Sequence, residues 1–247
     1  ILKMLKIAVC LVAMLVYAHA QSDYCNVCAN HTLCIYKGIS NACGTVITRG
    51  MTQAQKDTLL AAHNRDRNTV ATGQEKRGKP GPQPSATNMR VMKWDDEIAS
   101  IAQRWAEQCR FGHDQCRNTL GKMVVGQNVH MLFGPGASAD NFQFETSVDA
   151  FYNEVQNYSN ADINPYRPSD QGANQTGHYT QLVWANSYLL GCGYIKYRVG
   201  TTTYNYVVCN YGPSGNYKGQ PLYQTGIVAS ACAGSSRDNV YAGLCTS

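Results

Sequence analysis

Gly177-His178-Tyr179-Thr180-Gln181-Leu182-Val183-Trp184 is the stretch that decides how this chain folds. Tyr179, Leu182 and Val183 stand at i, i+3 and i+4, the spacing that gives a helical turn one apolar face. An imidazole held on that turn, as His178 is, can ligate a metal, act as a base or hydrogen-bond inside a core, and spacing alone favours the last. Just downstream, residues 190–197 and 204–211 are rich in aromatic and β-branched side chains, with Gly200 and a run of threonines between them, which predicts a β-hairpin. A turn centred on Gly200 and Thr201 sets Cys192 opposite Cys209 and Tyr197 opposite Tyr204. Facing positions on adjacent strands lie within disulfide reach, so register predicts Cys192–Cys209.

The opening stretch, together with Tyr206-Val207-Val208-Cys209-Asn210-Tyr211-Gly212-Pro213-Ser214-Gly215-Asn216, resembles two signatures of the CAP superfamily, the cysteine-rich secretory, antigen 5 and pathogenesis-related-1 proteins. His63-Asn64 with Arg67 resembles a third. Arg77-Gly78-Lys79-Pro80-Gly81-Pro82-Gln83-Pro84, followed by Asn88-Met89, is similar to the insect antigen 5 branch, which includes wasp venom allergens. The resemblance runs over residues 24–225. It implies an α+β fold, a three-layer α-β-α sandwich, here with a disulfide-stapled N-terminal extension and a C-terminal tail. Some blood-feeder members carry Arg-Gly-Asp; here Arg49-Gly50 runs into Met51 and Arg77-Gly78 into Lys79, so that integrin motif is not encoded.

The 247 residues divide into a signal peptide at 1–20, a cysteine-rich extension at 21–50, the CAP domain at 51–217 and a tail at 218–247. Lys3 and Lys6 precede an apolar run that ends in Ala18-His19-Ala20, the pattern of a cleaved secretory signal too short to span a bilayer. Removing it takes away Lys3, Lys6 and Cys10, so the net charge falls from +5 to +3 and eleven cysteines become ten. An even cysteine count in an exported chain predicts five disulfides and an extracellular address. Asn30, Asn157 and Asn174 head glycosylation sequons that suit the same compartment. The modest charge carries no basic cluster and gives no ground for nucleic-acid binding.

Thr52-Gln53-Ala54-Gln55 is a capping box that predicts a helix over 53–72, with His63, Arg67 and Val70 along one side as an internal polar brace. Asp95 opens a second helix, whose stripe of Ile98, Ile101, Ala102, Trp105, Ala106 and Cys109 reads as core. Val125, Gln127, Val129, Met131 and Phe133 alternate along one side of an expected strand, which makes Gln127 an inward-pointing amide in need of partners. A further helix carries Phe144, Val148, Phe151, Val155 and Tyr158 on one face and Glu154 on its shoulder. The resemblance implies the pairings Cys25–Cys34, Cys28–Cys116 and Cys43–Cys109. Cys232 and Cys245 are left to clip the tail.

The resemblance also implies a central cleft where two histidines and two acidic residues meet. The corresponding positions are His113, Gln127, Glu154 and His178, with glutamine standing where the family has glutamate. His113, Glu154 and His178 are therefore the expected ligands for zinc or copper, and Gln127, a poor ligand, supports them. No metal is required by the fold. The leading expectation is a non-enzymatic secreted binder, a monomer, that takes a small hydrophobic ligand such as a lipid, or a host protein. A copper-dependent superoxide scavenger is the alternative. A protease-like hydrolase ranks third, because no nucleophile elbow exists and Ser214 sits in a Pro-Ser-Gly turn.

Overall fold

A computed structural model describes residues 23–135, 141–168 and 175–246; the expected signal peptide and Asn174 lie outside the described residues. The helices are α1 (Thr32–Ile35), α2 (Gln53–Ala71), α3 (Asp96–Ala106), α4 (Glu145–Tyr152) and α5 (Gly177–Leu182). The strands are β1 (Thr45–Arg49), β2 (Lys93–Trp94), β3 (Gly126–Pro135), β4 (Leu189–Val199) and β5 (Thr202–Gly212). They form one sheet in the order β1-β4-β5-β3, with β2 pairing β4 in parallel.

The β4–β5 hairpin has the expected register, Cys192 facing Cys209 and Tyr197 facing Tyr204. Because successive side chains point to opposite faces, this one register fills two cores. Leu190, Cys192, Tyr194, Val207, Cys209 and Tyr211 face a core built with residues of α2, α4 and α5. Ile195, Tyr197, Tyr206 and Val208 face a second core with Ala102, Trp105 and Ala106 of α3. The result is an α-β-α sandwich. Helix α3 lies close on the sheet at two glycines: a Cβ on Gly193 would stand 2.3 Å from the Gln103 backbone, and one on Gly191 2.3 Å from Ala99 N.

Helix α2 begins at the expected capping box, with Thr52 and Gln55 bonded reciprocally. Its His63 and Arg67 are fully buried. The Arg67 guanidinium donates to the carbonyls of Leu182 and Trp184, each at 2.8 Å, and to those of Arg90 and Ala185. Burial pushes its pKa down to about 9, so it stays charged at neutral pH. His63 Nδ1 donates to Leu59 O at 2.7 Å, and Nε2 accepts from the Tyr211 hydroxyl at 2.9 Å. The brace joins α2 to the chain leaving α5 and to β5.

Disulfides join Cys25 to Cys34, Cys28 to Cys116, Cys43 to Cys109, Cys192 to Cys209 and Cys232 to Cys245. The tail is laid on the domain by backbone bonds from Val91 N to Cys245 O and from Cys245 N to Met89 O. Two local expectations are corrected. Helix α3 stops at Ala106, so Cys109 lies beyond it at φ 52°, where its bond to Cys43 holds it. Phe133 is 63% exposed, because the far end of β3 stands clear of the helices; its ring stacks on Tyr204 instead. Among the described residues no helix is long and apolar enough to cross a membrane.

Burial pulls the His63 pKa from 6.5 down to about 4. Between those values the unfolded chain binds a proton that the native state does not, so stability falls as pH drops through this window, by up to about 3 kcal/mol. In urea unfolding, His63→Gln is expected to flatten the stability difference between neutral pH and about pH 4.5 relative to the parent chain.

Candidate functional site: a cleft with two oriented imidazoles

After α4 the chain tightens into a 3-10 turn, Asn153–Asn157, which sends Val155 into the core and turns Glu154 toward the start of α5. Helix α5 has no side-chain cap of its own from Thr176. Glu154 supplies one from outside. Its Oε2 accepts the backbone N–H of His178 at 2.8 Å and of Tyr179 at 3.1 Å, donors that a helix start leaves unpaired. Its Oε1 accepts from His178 Nδ1 at 2.7 Å. The His178 ring stacks on Phe151 with centroids 5.2 Å apart, and Asn128 Nδ2 donates to His178 O. With Nδ1 donating to Glu154, Nε2 is the ring nitrogen of His178 left for the cleft.

His113 is oriented by a different route to the same end. Asn210 Nδ2 donates to Ile98 O, which turns Asn210 Oδ1 toward Gln127. The Gln127 amide nitrogen then donates to Asn210 Oδ1 at 3.1 Å and to Asp114 Oδ1 at 3.0 Å. Both partners are acceptors, so the amide has only one orientation, with Oε1 facing His113 Nδ1 at 2.9 Å. His113 Nδ1 must therefore carry the proton, and its Nε2 is free. Asp114 is itself fixed by Arg117 and by the Thr32 hydroxyl.

His113, Gln127, Asn128, Gln175, Gly177, His178 and Asn216 line one cleft of about 340 Å³. The two expected histidines thus meet at a common cavity with both Nδ1 atoms occupied. Among the described residues, however, no three His, Cys, Asp or Glu side chains gather into a metal-holding group. The expected three-ligand set of His113, Glu154 and His178 is corrected accordingly: Glu154 spends its oxygens on His178 and the start of α5 and stands behind the imidazole. Gln127 stands behind His113 in the same way.

The donor set fits a divalent metal held by two imidazoles, since a zinc-bound histidine typically donates its other N–H to a carboxylate or carbonyl oxygen. Ser214 does not line the cleft; its hydroxyl donates to Gly215 O. Of the sequons, Asn30 is exposed with its amide on Gln115, and Asn157 is half-buried. Sequence reasoning missed His130, whose Nδ1 lies 3.0 Å from the Ser147 hydroxyl. Its pKa is lowered by burial and by the neighbouring His178. It also missed Asp114, although Asp114 follows His113 directly.

A disulfide-braced α-β-α sandwich with this cleft defines a class of protein. Residues 60–211 match the model of the cysteine-rich secretory protein (CAP) family. The chain is 43% identical to "Venom allergen 5" of Dolichovespula arenaria over 82% of its own length and 99% of that protein's. It is 41% identical to "Venom allergen 3 homolog" of Dinoponera quadriceps, covering 82% of this chain and 90% of the relative. Among solved structures, the crystal structure of NaASP2 with Zn2+ superposes with a TM-score of 0.63 at 30% identity, over 79% of this chain and 97% of the other. The structure of BmVAL-1 superposes with a TM-score of 0.66 at 25% identity, over 80% of this chain and 96% of the other. The chain belongs to the CAP superfamily, in its antigen 5 branch.

The Gln127 network explains why an amide stands here. In Gln127→Glu the second carboxylate oxygen would face Asp114 Oδ1 and Asn210 Oδ1 with no hydrogen between them. The new carboxyl therefore has a raised pKa, and its cost appears as pH rises above the ordinary carboxylate range. Urea unfolding should show Gln127→Glu destabilised by about 1–3 kcal/mol at neutral pH, with much of that recovered near pH 4.

Proposed function

We propose that the chain is a secreted, non-enzymatic binding protein of the antigen 5 kind, whose cleft takes a zinc or copper ion on the Nε2 atoms of His113 and His178. One observation carries this: both imidazoles line one cleft, and each has its Nδ1 held by an oxygen of a group behind it. Glu154 and Gln127 set tautomer and direction, and water completes the coordination. A centre with two protein ligands binds in the micromolar class, well below a structural zinc. The related NaASP2 was crystallised with Zn2+, which supports the same chemistry here. Five disulfides and the sequence of 1–20 support export, and relatives called venom allergens support a role in venom.

The lining argues against hydrolysis. His178 paired with Glu154 has the form of a base and its orienter, yet no Ser, Thr or Cys is among the described residues that line the cleft. The lining is also largely polar, which favours an ion over a lipid at this site. A host protein or a lipid would then engage other surfaces of the sandwich.

Calorimetry at neutral pH with zinc and with copper should show saturable binding to the parent chain and none to the His113→Ala, His178→Ala double variant. Glu154→Gln, which keeps the shape but weakens the clamp, is expected to lower affinity by about 10–100-fold. No heat with the parent chain, or equal heat with the double variant, contradicts the proposal.

A further inference from the structure

A second hollow lies on the other side of His113, between the end of α1 and the loop that follows α3. It has a volume of about 280 Å³; Ile35, Tyr36, Trp105, Phe111, Arg110 and His113 line it together with polar neighbours. Its lining is mixed: the apolar and aromatic groups Ile35, Tyr36, Trp105 and Phe111 share it with polar and charged side chains. Trp105 and Tyr36 pack at a centroid distance of 5.8 Å, and Ile35 and Phe111 are left 45% and 66% exposed. Large apolar side chains facing water around a concavity gain free energy when an apolar body covers them.

The hollow is preformed. The loop is tied at both ends by Cys43–Cys109 and Cys28–Cys116. Between the ties, Trp105 Nε1 donates to Gly112 O at 2.8 Å, and the Tyr206 hydroxyl donates to Arg110 O at 3.0 Å. A ligand entering it would spend little on ordering the loop.

Charge selects the ligand. The neighbouring carboxylates are already neutralised: the Asp114 side chain is 1% exposed and bound to Arg117, and Glu107 is paired with Arg49 and Arg104. Arg110 is exposed, and among the described residues its guanidinium has no carboxylate partner. One unpaired guanidinium beside the aromatic part of this wall matches a monoanion with a flat aromatic body. We propose that this hollow binds a small aromatic carboxylate, its ring against Tyr36, Trp105 and Phe111 and its carboxylate on Arg110. The hollow shares the His113 ring with the metal cleft but needs no metal.

The probe is 2-naphthoate, compared with uncharged 2-naphthamide, titrated in the presence of EDTA against the secreted chain carrying Asn30→Gln. That substitution keeps a glycan away from the mouth, and tryptophan fluorescence and calorimetry give the readout. The carboxylate should bind saturably and the amide about tenfold or more weaker, as expected for loss of a charge-assisted hydrogen bond. Arg110→Gln should bring the carboxylate down to the level of the amide without changing the amide, and Phe111→Ala should weaken both. Both side chains are exposed, so these variants keep the fold. Absence of saturable binding, equal affinity for the two probes, or an Arg110→Gln chain that binds 2-naphthoate as the parent does would overturn the proposal.

Discussion

The Glu154 carboxylate gathers three N–H donors onto two oxygens: the His178 ring and the backbone of His178 and Tyr179. Hydrogen bonds to an ionised group are worth about 1.5–3 kcal/mol each, so this one side chain is a principal reason that a six-residue helix starts where it does. The same contact chooses the His178 tautomer. Folding and site chemistry are thus coupled through a single carboxylate.

Around that clamp the frame is held in two ways. The β4–β5 register commits alternate residues to two cores, and the Cys192–Cys209 bond ties the two strands within one of them. Arg67 gathers carbonyls from the segment after α5 and from Arg90, groups that no strand ladder could satisfy. A charge buried this completely is tolerated because every direction of its fork meets an acceptor. Removing it would take away the donor to Leu182 O and Arg90 O next to the helix that carries His178, while Trp184 O and Ala185 O keep backbone partners.

Much of the frame was legible in the sequence because it follows from period and register. The hairpin needed only Gly200 and the threonines to place Cys192 opposite Cys209. The capping box announced α2, and scarcity of large apolar residues on that helix pointed to His63 and Arg67 as an inward brace. What failed were matters of reach. Nothing in the stripe through Cys109 says that α3 ends at Ala106, and alternation through Phe133 does not say where the covering helix stops. The site was half legible. His113 and His178 were identified by resemblance, but a carboxylate on a helix shoulder reads equally as ligand or support. Only the positions of the His178 and Tyr179 N–H groups decide for support. Likewise Gln127 was seen as an inward amide. Its orientation depends on Asp114 and Asn210, whose convergence is a property of the sheet and loop and not of spacing.

The central claim is that the fold fixes both imidazoles as Nδ1–H tautomers with Nε2 open to one cleft. Long-range proton–nitrogen correlation NMR of the histidine rings tests it most directly, recorded at neutral pH before and during addition of zinc. The account predicts that His113 and His178 both show a protonated Nδ1 and an unprotonated Nε2, and that zinc shifts the two Nε2 resonances together. Nε2–H tautomers at either ring, or a zinc response confined to one of them, would contradict it.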